Sequence, residues 1–291
     1  MYKKLDDITC LEIIKEYKLG IKKSILSRKY DVSYSAISNI IERNGRHRII
    51  PGKKYIVDES FFNIIDTKEK AYWLGFLYAD GFVIKKDENS IYTGLGLKDI
   101  DHVEKFKKEI KSTHKIKSNK SNNFFTIHIN SKKFSENLIK NGCVPRKTNI
   151  INFPMLRDDL LHHFIRGNFD GDGCITNTAR TISFNLCCAN YQFLNSIRQE
   201  IKKKNDMKSN LSIHTRRDGL NSFIVSSIND ICKLYHYLYK DATDDISLSR
   251  KRLIFEDIIE NKDEYIKKRK LIDNERAKVR RRKNSQATNQ L

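Results

Sequence analysis

Two aspartates, Asp80 and Asp172, close two short segments that read alike: WLGFLYADG at 73–81 and IRGNFDGDG at 165–173. In each, small residues stand four apart, Gly75 with Ala79 and Gly167 with Gly171, and a glycine follows the acid (Gly81, Gly173). Residues four apart share one helix face, and small residues there let two backbones come close. A glycine directly after the acid suits a helix C-terminus. A carboxylate at that end meets the negative end of the helix dipole, a poor placement for stability alone. Occurring twice, on the same small-residue face, the pattern predicts two helices packed side by side that deliver two acids to one place. Carboxylates held together repel, which raises the pKa of one of them; a divalent cation relieves that repulsion.

The elements that must position these acids also repeat. After Asp80, strands are expected near 82–84 and 91–98, a helix over 100–111, strands at 114–118 and 124–130, and a helix over 132–141. After Asp172, strands fit 174–177 and 181–189, a helix 190–204, strands 209–216 and 222–228, and a helix 230–240. The order helix, two strands, helix, two strands, helix therefore occurs twice, and 92 residues separate Asp80 from Asp172, enough for one such unit. The strands alternate. Phe125, Ile127 and Ile129 interleave with Thr126, His128 and Asn130. Ile182, Phe184 and Leu186 interleave with Thr181, Ser183 and Asn185, and Leu211 and Ile213 with Ser212, His214 and Arg216. One sheet face must be core. The other carries hydrogen-bonding side chains, which suits a binding face and equally a solvated one.

Composition bounds the partners. The 291 residues carry 56 Lys and Arg against 36 Asp and Glu, a formal charge of +20 with a pI near 9.6. Such an excess attracts a polyanion. An AT-rich coding sequence also enriches Lys, Asn and Ile, so charge alone leaves a merely basic surface open. The six cysteines form no CxxC pair, and adjacent Cys187 and Cys188 point to opposite strand faces; structural thiols are expected rather than zinc or disulfides. No apolar run reaches the roughly 20 residues of a membrane span, and the start is unlike a signal peptide, so a cytoplasmic protein is expected. His162 and His163 lack partners at ligand spacing and are expected to pack or cap.

Residues 1–50 read as a separate module of three short helices within 8–44. Leu11, Ile14 and Ile13, then Ile25, Leu26 and Tyr30, then Ile37, Ile40 and Ile41 are the expected inward residues. Asp31-Val32-Ser33 forms a tight turn, with Ser33 as N-cap of the third helix. The spacing resembles a helix-turn-helix, whose second helix would lead into the major groove with Ser33, Tyr34, Ser35, Ser38 and Asn39, while Arg43, Arg46 and Arg48 meet phosphate. A small bundle that binds protein or nothing is the alternative. A linker is expected at 51–67, with Asp66 or Thr67 capping the first motif helix. The repeats then occupy 68–155 and 156–262, and a basic tail 263–291, including KKRK and VRRRK, forms a helix that frays at its end.

The two motifs resemble those of LAGLIDADG (DOD-type) homing endonucleases in their single-chain, two-repeat form. That resemblance implies an α+β fold of two pseudo-symmetric αββαββα repeats whose motif helices form the interface and whose sheets make a DNA-binding saddle. It implies Asp80 and Asp172 as ligands of Mg²⁺, with Mn²⁺ as substitute. It further implies hydrolysis of both strands of a long asymmetric double-stranded DNA target, leaving short 3′ overhangs, by a monomer that uses no membrane. The phrases NGCVPRKTNIINFP (141–154) and LYKDATDDISLSRKRLIFED (238–257) place Lys147 and Lys251 after each repeat's last helix. By resemblance these lysines are catalytic, against a plain phosphate-contact role; Lys98 is a further DNA-contact candidate. Thr126, His128, Asn130, Thr181, Ser183, Asn185, His214 and Arg216 would face the major groove. Tyr78 stands where the family often has its first aspartate, and Asp170 keeps it. A free-standing, intron-homing enzyme is expected rather than an intein domain, since splicing residues are absent from both ends. A catalytically inactive transcription regulator and an RNA maturase are the rival readings.

Overall fold

A computed structural model describes residues 5–18, 20–43, 55–87, 90–119, 121, 123–178 and 181–288. The chain divides into two compact units, Met1–Ile56 and Val57–Leu291.

The smaller unit holds α1 (Asp7–Lys18), α2 (Lys23–Lys29) and α3 (Tyr34–Arg43). Ile13, Leu26, Ile37 and Ile41 form its core, one or two residues per helix. Leu11 and Ile25, expected inward, are exposed instead. Each neighbours a residue that is buried better (Ile13, Leu26), and so short a helix turns only one narrow stripe inward. Asp31 adopts a left-handed φ of 51°, which makes the turn between α2 and α3. Ser33 Oγ accepts from Ala36 N at 3.1 Å, the expected N-cap.

The larger unit begins within the expected linker. Phe61, Phe62 and Ile65 are buried in its core, so the apolar part of 51–67 is packed; residues 51–54 lie outside the described residues. Then comes the duplication. Helix α4 (Lys68–Ala79) leads to β1 (Gly81–Asp87), β2 (Ser90–Leu97), α5 (Ile100–Glu109), β3 (Ile116–Asn119), β4 (Phe124–Ile129) and α6 (Lys132–Lys140). Helix α7 (Leu161–Asp172) leads to β5 (Cys174–Asn177), β6 (Ile182–Cys188), α8 (Tyr191–Lys204), β7 (His214–Thr215), β8 (Asn221–Val225) and α9 (Ile228–Leu238). Both sheets are four-stranded and antiparallel with the same order, β1-β2-β4-β3 and β5-β6-β8-β7. This is the two-repeat α+β architecture that the motifs led us to expect. Two further helices follow, α10 (Ser249–Glu260) and α11 (Lys262–Thr288). The tail is thus helical to Thr288 and is anchored at its start, where Tyr265 and Ile266 pack on the core and Arg269 donates to Ser226 O.

One strand is far shorter than expected. In place of 209–216, β7 spans two residues, because Asp230 at the start of α9 captures the preceding chain. Its carboxylate accepts from Lys208 N and Ser209 N, and this fixes the segment without strand pairing, while Leu211 still reaches the core. The polar caps behave as local chemistry predicts. Thr67 Oγ1 accepts from Lys70 N, Ser131 Oγ from Phe134 N, and Asn190 Oδ1 from Phe193 N.

The paired motif helices are the centre of the larger unit. Every residue from Ala71 to Tyr78 on α4 and from Leu161 to Asp170 on α7 is buried. The small residues explain how two such helices touch. A Cβ at Gly75 would lie 2.0 Å from Phe164 O, and one at Gly167 would lie 2.0 Å from Tyr72 O. A Cβ at Gly171 would meet Ala79 Cβ at 2.3 Å. The helices are therefore in backbone contact and run parallel, with their C-termini together.

Candidate functional site

Parallel packing places Asp80, the C-cap of α4, beside the end of α7, where Asp172 is the last helical residue. Asp80 Oδ2 lies only 3.2 Å from where a Gly171 Cβ would stand, so any larger residue there would crowd the acid. The glycines after the acids do end the helices, but not through a left-handed backbone: Gly173 is extended (φ −84°, ψ 166°). They are needed for space. A Cβ at Gly81 would meet Leu77 Cδ2 at 2.6 Å, and one at Gly173 would meet Phe169 Cδ2 at 2.1 Å.

Neither carboxylate has a hydrogen-bond partner among the described residues. Burial raises the Asp80 pKa against the pull of Lys251 and Lys147. Asp172 is pushed up to about 6, first by loss of surrounding water and then by the charge of Asp80. The side chain of Asp172 still reaches solvent. Its opening to water and the protein packed around it act together: the carboxylate is reachable from outside yet poorly hydrated.

The two lysines occupy matching places. Lys147 Nζ donates to Ala79 O at 3.1 Å and Gly81 O at 2.7 Å. Lys251 Nζ donates to Phe169 O at 2.8 Å, Asp170 O at 2.7 Å, Gly171 O at 3.2 Å and Gly173 O. Each ammonium thus caps the orphan carbonyls at the end of one motif helix, where the dipole favours a cation. Burial lowers the pKa of Lys251. Its charge and that of Lys147 act on both aspartates.

Tyr78 and Asp170 occupy matching places in the two motifs, and their contacts show why both are tolerated. Tyr78 Oη donates to Asn141 O at 2.7 Å and so ties α4 to the end of α6. Asp170 Oδ2 accepts from Leu248 N at 2.9 Å and Oδ1 from Tyr239 Oη at 3.2 Å, which ties α7 to the segments after α9. Asp170 is therefore structural. Across the interface Tyr72 Oη donates to Asp170 Oδ2 at 2.8 Å, so His102 Nε2–H donates to Tyr72 Oη at 3.0 Å. Burial holds His102 neutral, with its pKa lowered to about 3. Arg166, fully buried, donates to Ile246 O at 2.9 Å and Leu238 O at 2.7 Å and lies over the Tyr72 ring. An arginine inside an apolar helix was the sequence signal of this network.

His162 and His163 pack as expected. Their rings are 3.8 Å apart, and His162 Nε2 reaches Lys240 O. Burial lowers the His163 pKa to about 2.

The sheet-face residues fall on the outer faces. Thr126 pairs with Gly96 and His128 with Gly94; Ser183 pairs with Thr176 and Asn185 with Cys174. Asn130, Lys98, Thr181, His214 and Arg216 are exposed, and Arg216 pairs with Asp218 at 3.0 Å. The first sheet differs from the expected polar face. Phe82, Ile84 and Tyr92 share it, and His128 stacks on Tyr92 and meets Phe82 edge-on. The alternation of β4 is visible in the sequence. The glycines that let β1 and β4 rings lie on β2 alternate with Leu95 and Leu97, but the sequence does not show which rings cover them.

In the smaller unit Ser33, Tyr34, Ser35 and Asn39 are exposed at the start and outer side of α3, and Ser38 accepts from Lys23 Nζ. Arg43 ends α3, but its side chain, like Arg46 and Arg48, lies outside the described residues.

Among the described residues no group of three or more His, Cys, Asp and Glu is arranged to hold a metal, and no helix is long and apolar enough to cross a membrane. Two unpartnered carboxylates under mutual repulsion nevertheless fit a hard dication that takes its remaining ligands from water and phosphate.

Two repeats joined through parallel motif helices, each ending in an acid, define a LAGLIDADG-type architecture. No family profile and no curated protein matches the chain. Among solved structures it is similar to I-DmoI in complex with DNA and Mn, at 16% identity over 64% of this chain and 99% of that one, TM-score 0.44. It is also similar to the I-LtrWI LAGLIDADG homing endonuclease bound to target DNA, at 14% identity over 70% and 92%, TM-score 0.42. The N-terminal LAGLIDADG domain of DUF199/WhiA is similar at 18% identity over 64% and 90%, TM-score 0.43.

Proposed function

We propose that this chain is a site-specific homing endonuclease that makes a double-strand break in a long asymmetric DNA target. The observation that carries this reading is the pair of aspartates at adjoining helix ends, unpartnered and reachable from solvent, supported from behind by two lysines on the helix carbonyls. A structural acid would be hydrogen-bonded, as Asp170 is; Asp80 and Asp172 are not. The net charge of +20 supports a polyanionic substrate.

In this reading Asp80 and Asp172 hold Mg²⁺, or Mn²⁺ in its place, together with the scissile phosphates. When bound, such a dication activates water and takes up charge on the phosphate. The chain's own residues do the rest. Gly75, Gly167 and Gly171 let the two acids share one place. Lys147 and Lys251 neutralise the carbonyl ends of the helices, so the acids do not face two bare negative dipoles, and their charge favours the ionised carboxylates. Thr126, His128, Asn130, Ser183, Asn185, His214 and Arg216 meet base edges, Lys98 and other surface lysines meet phosphate, and α3 of the smaller unit adds major-groove contacts. With both acids in one chain, a monomer is sufficient.

A plasmid library carrying random inserts, incubated with the full chain and Mg²⁺, tests this directly. Linear plasmids cut at a recurring sequence are expected, and none with Asp80→Asn or Asp172→Asn. Sequence-specific retention of inserts without cutting by the unaltered chain would favour the regulator, and binding of structured RNA alone would favour the maturase.

A further inference from the structure

The outer faces of the two sheets are chemically unlike, and the difference is built into the backbone. In the first sheet, β2 presents Gly94 and Gly96 outward, and a ring lies over each. A Cβ at Gly94 would meet Phe82 Cζ at 2.1 Å, and one at Gly96 would meet Phe124 Cε1 at 2.5 Å. Phe82 sits directly across from Gly94, and Tyr92 across from Ile84, which is 38% exposed. Laid on glycine, the two phenyl rings form an aromatic platform on this face, with His128 edge-on to Phe82 and stacked on Tyr92. In the second sheet the same positions hold Cys174 beside Asn185 and Cys187 beside Ser222; Ile224, across from Asn185, is exposed there, and among the described residues no ring is laid on the strand.

Resting on the DNA-cleaving function proposed above, we infer that the first repeat reads its half of the target largely through thymine methyl groups, beside the polar contacts of Thr126, His128 and Asn130, whereas the second reads chiefly by hydrogen bonds. The major groove is lined by donors and acceptors, and its one apolar feature is the thymine 5-methyl. A phenyl platform has no donor or acceptor to offer a base edge, but it removes a methyl group from water. Lys117, exposed and on the same side of this sheet, supplies charge complementary to the flanking phosphates. The partner that fits is therefore duplex DNA with thymines clustered in one half-site.

The test uses the full chain and a random-sequence duplex library, selected for binding in Ca²⁺. The recovered duplex is then remade with deoxyuridine at one thymine at a time, which deletes the methyl and leaves pairing intact. Loss of one buried methyl corresponds to about three- to fivefold in affinity. That loss is expected at two or more positions in one half-site and at no more than one, against Ile224, in the other. In Phe82→Ala, and in Gly94→Ala, which displaces the same ring, uridine and thymine should bind alike at one of those positions. Phe82→Leu should keep part of the discrimination. Uridine tolerated everywhere, or costly equally in both halves, overturns the inference, and this measurement on the unaltered chain holds even if a variant fails to fold. Tighter binding of the unpaired strand than of the duplex also overturns it, in favour of base stacking on the rings. If no duplex is selected at all, the DNA reading itself fails.

Discussion

Asp172 gives the sharpest consequence at the scale of single residues. Its pKa near 6 means that a growing fraction of the chain is protonated there as pH falls below neutrality. In the metal-binding reading proposed above, Mn²⁺ affinity, followed by paramagnetic resonance of the free ion, should therefore drop about tenfold for each pH unit below 6 and level off above 7. For stability the sign is opposite. A carboxyl whose folded pKa exceeds its unfolded value of roughly 3.9 favours the fold below that value, and the contribution is lost as pH rises through about 6. Asp172→Asn should raise the metal-free melting temperature slightly at pH 8 and not at pH 4; the gain is small because the side chain reaches water. Equal melting curves at both pH values would show that the acid is not strained. The lysines divide in the same measurement. Lys251, 4% exposed and bonded to four carbonyls, should cost on the order of 2 kcal/mol when replaced by Met. Lys147, half-buried with two carbonyls, should cost less. If single-turnover cleavage of saturated DNA falls more than stability predicts in either variant, that lysine also acts on the phosphate.

At the scale of elements, the helix pair α4–α7 carries the architecture. Gly75→Ala puts a methyl where a backbone oxygen already lies, and the pair must separate. A loss of about 3 kcal/mol is expected by denaturant titration. Gly171→Ala sits nearer the acids, so its cleavage rate should suffer more than its stability, since it pushes on Asp80 as well as on Ala79. Equal behaviour of the two variants would argue against the helix ends setting the site. This pair was legible in the sequence because small residues four apart, twice over, are what close packing of two helices requires and little else does. The strands were legible where one face was apolar, as in β4 and β6. The segment before β7 was not, because a distant carboxylate, Asp230, holds it by its amides, and no local pattern encodes that contact. Leu11 and Ile25 misled for a related reason: in so short a helix, apolar residues one or two positions apart cannot share the single inward stripe, which Ile13 and Leu26 take. The roles of Gly94 and Gly96 depend on rings from neighbouring strands and only register reveals them.

For the whole molecule, the two units suggest a division of labour. Removing residues 1–56 should leave a folded larger unit, because the core around Phe62 lies wholly beyond that boundary. In the DNA reading, the truncated chain should cut the same bonds with weaker affinity, since a tethered module adds effective concentration rather than chemistry. Affinity, footprint and cut positions on one labelled duplex decide this; an unchanged footprint would show that the smaller unit does not engage the target. The polar link across the repeats has a further consequence for which halves pair. Asp170 takes one of its hydrogen bonds from Tyr72 of the other repeat, and Arg166 rests on that same ring. The residue of the second repeat that corresponds to Tyr72 is Phe164, which has no hydroxyl, and the first repeat carries Tyr78 in place of the acid. A second half paired with its own copy would lose that bond and keep those from Leu248 N and Tyr239 Oη, and in a first half paired with its own copy Tyr72 Oη would keep only His102. The bond across the interface thus forms only where a first repeat meets a second, which favours this pairing over either half with its own copy.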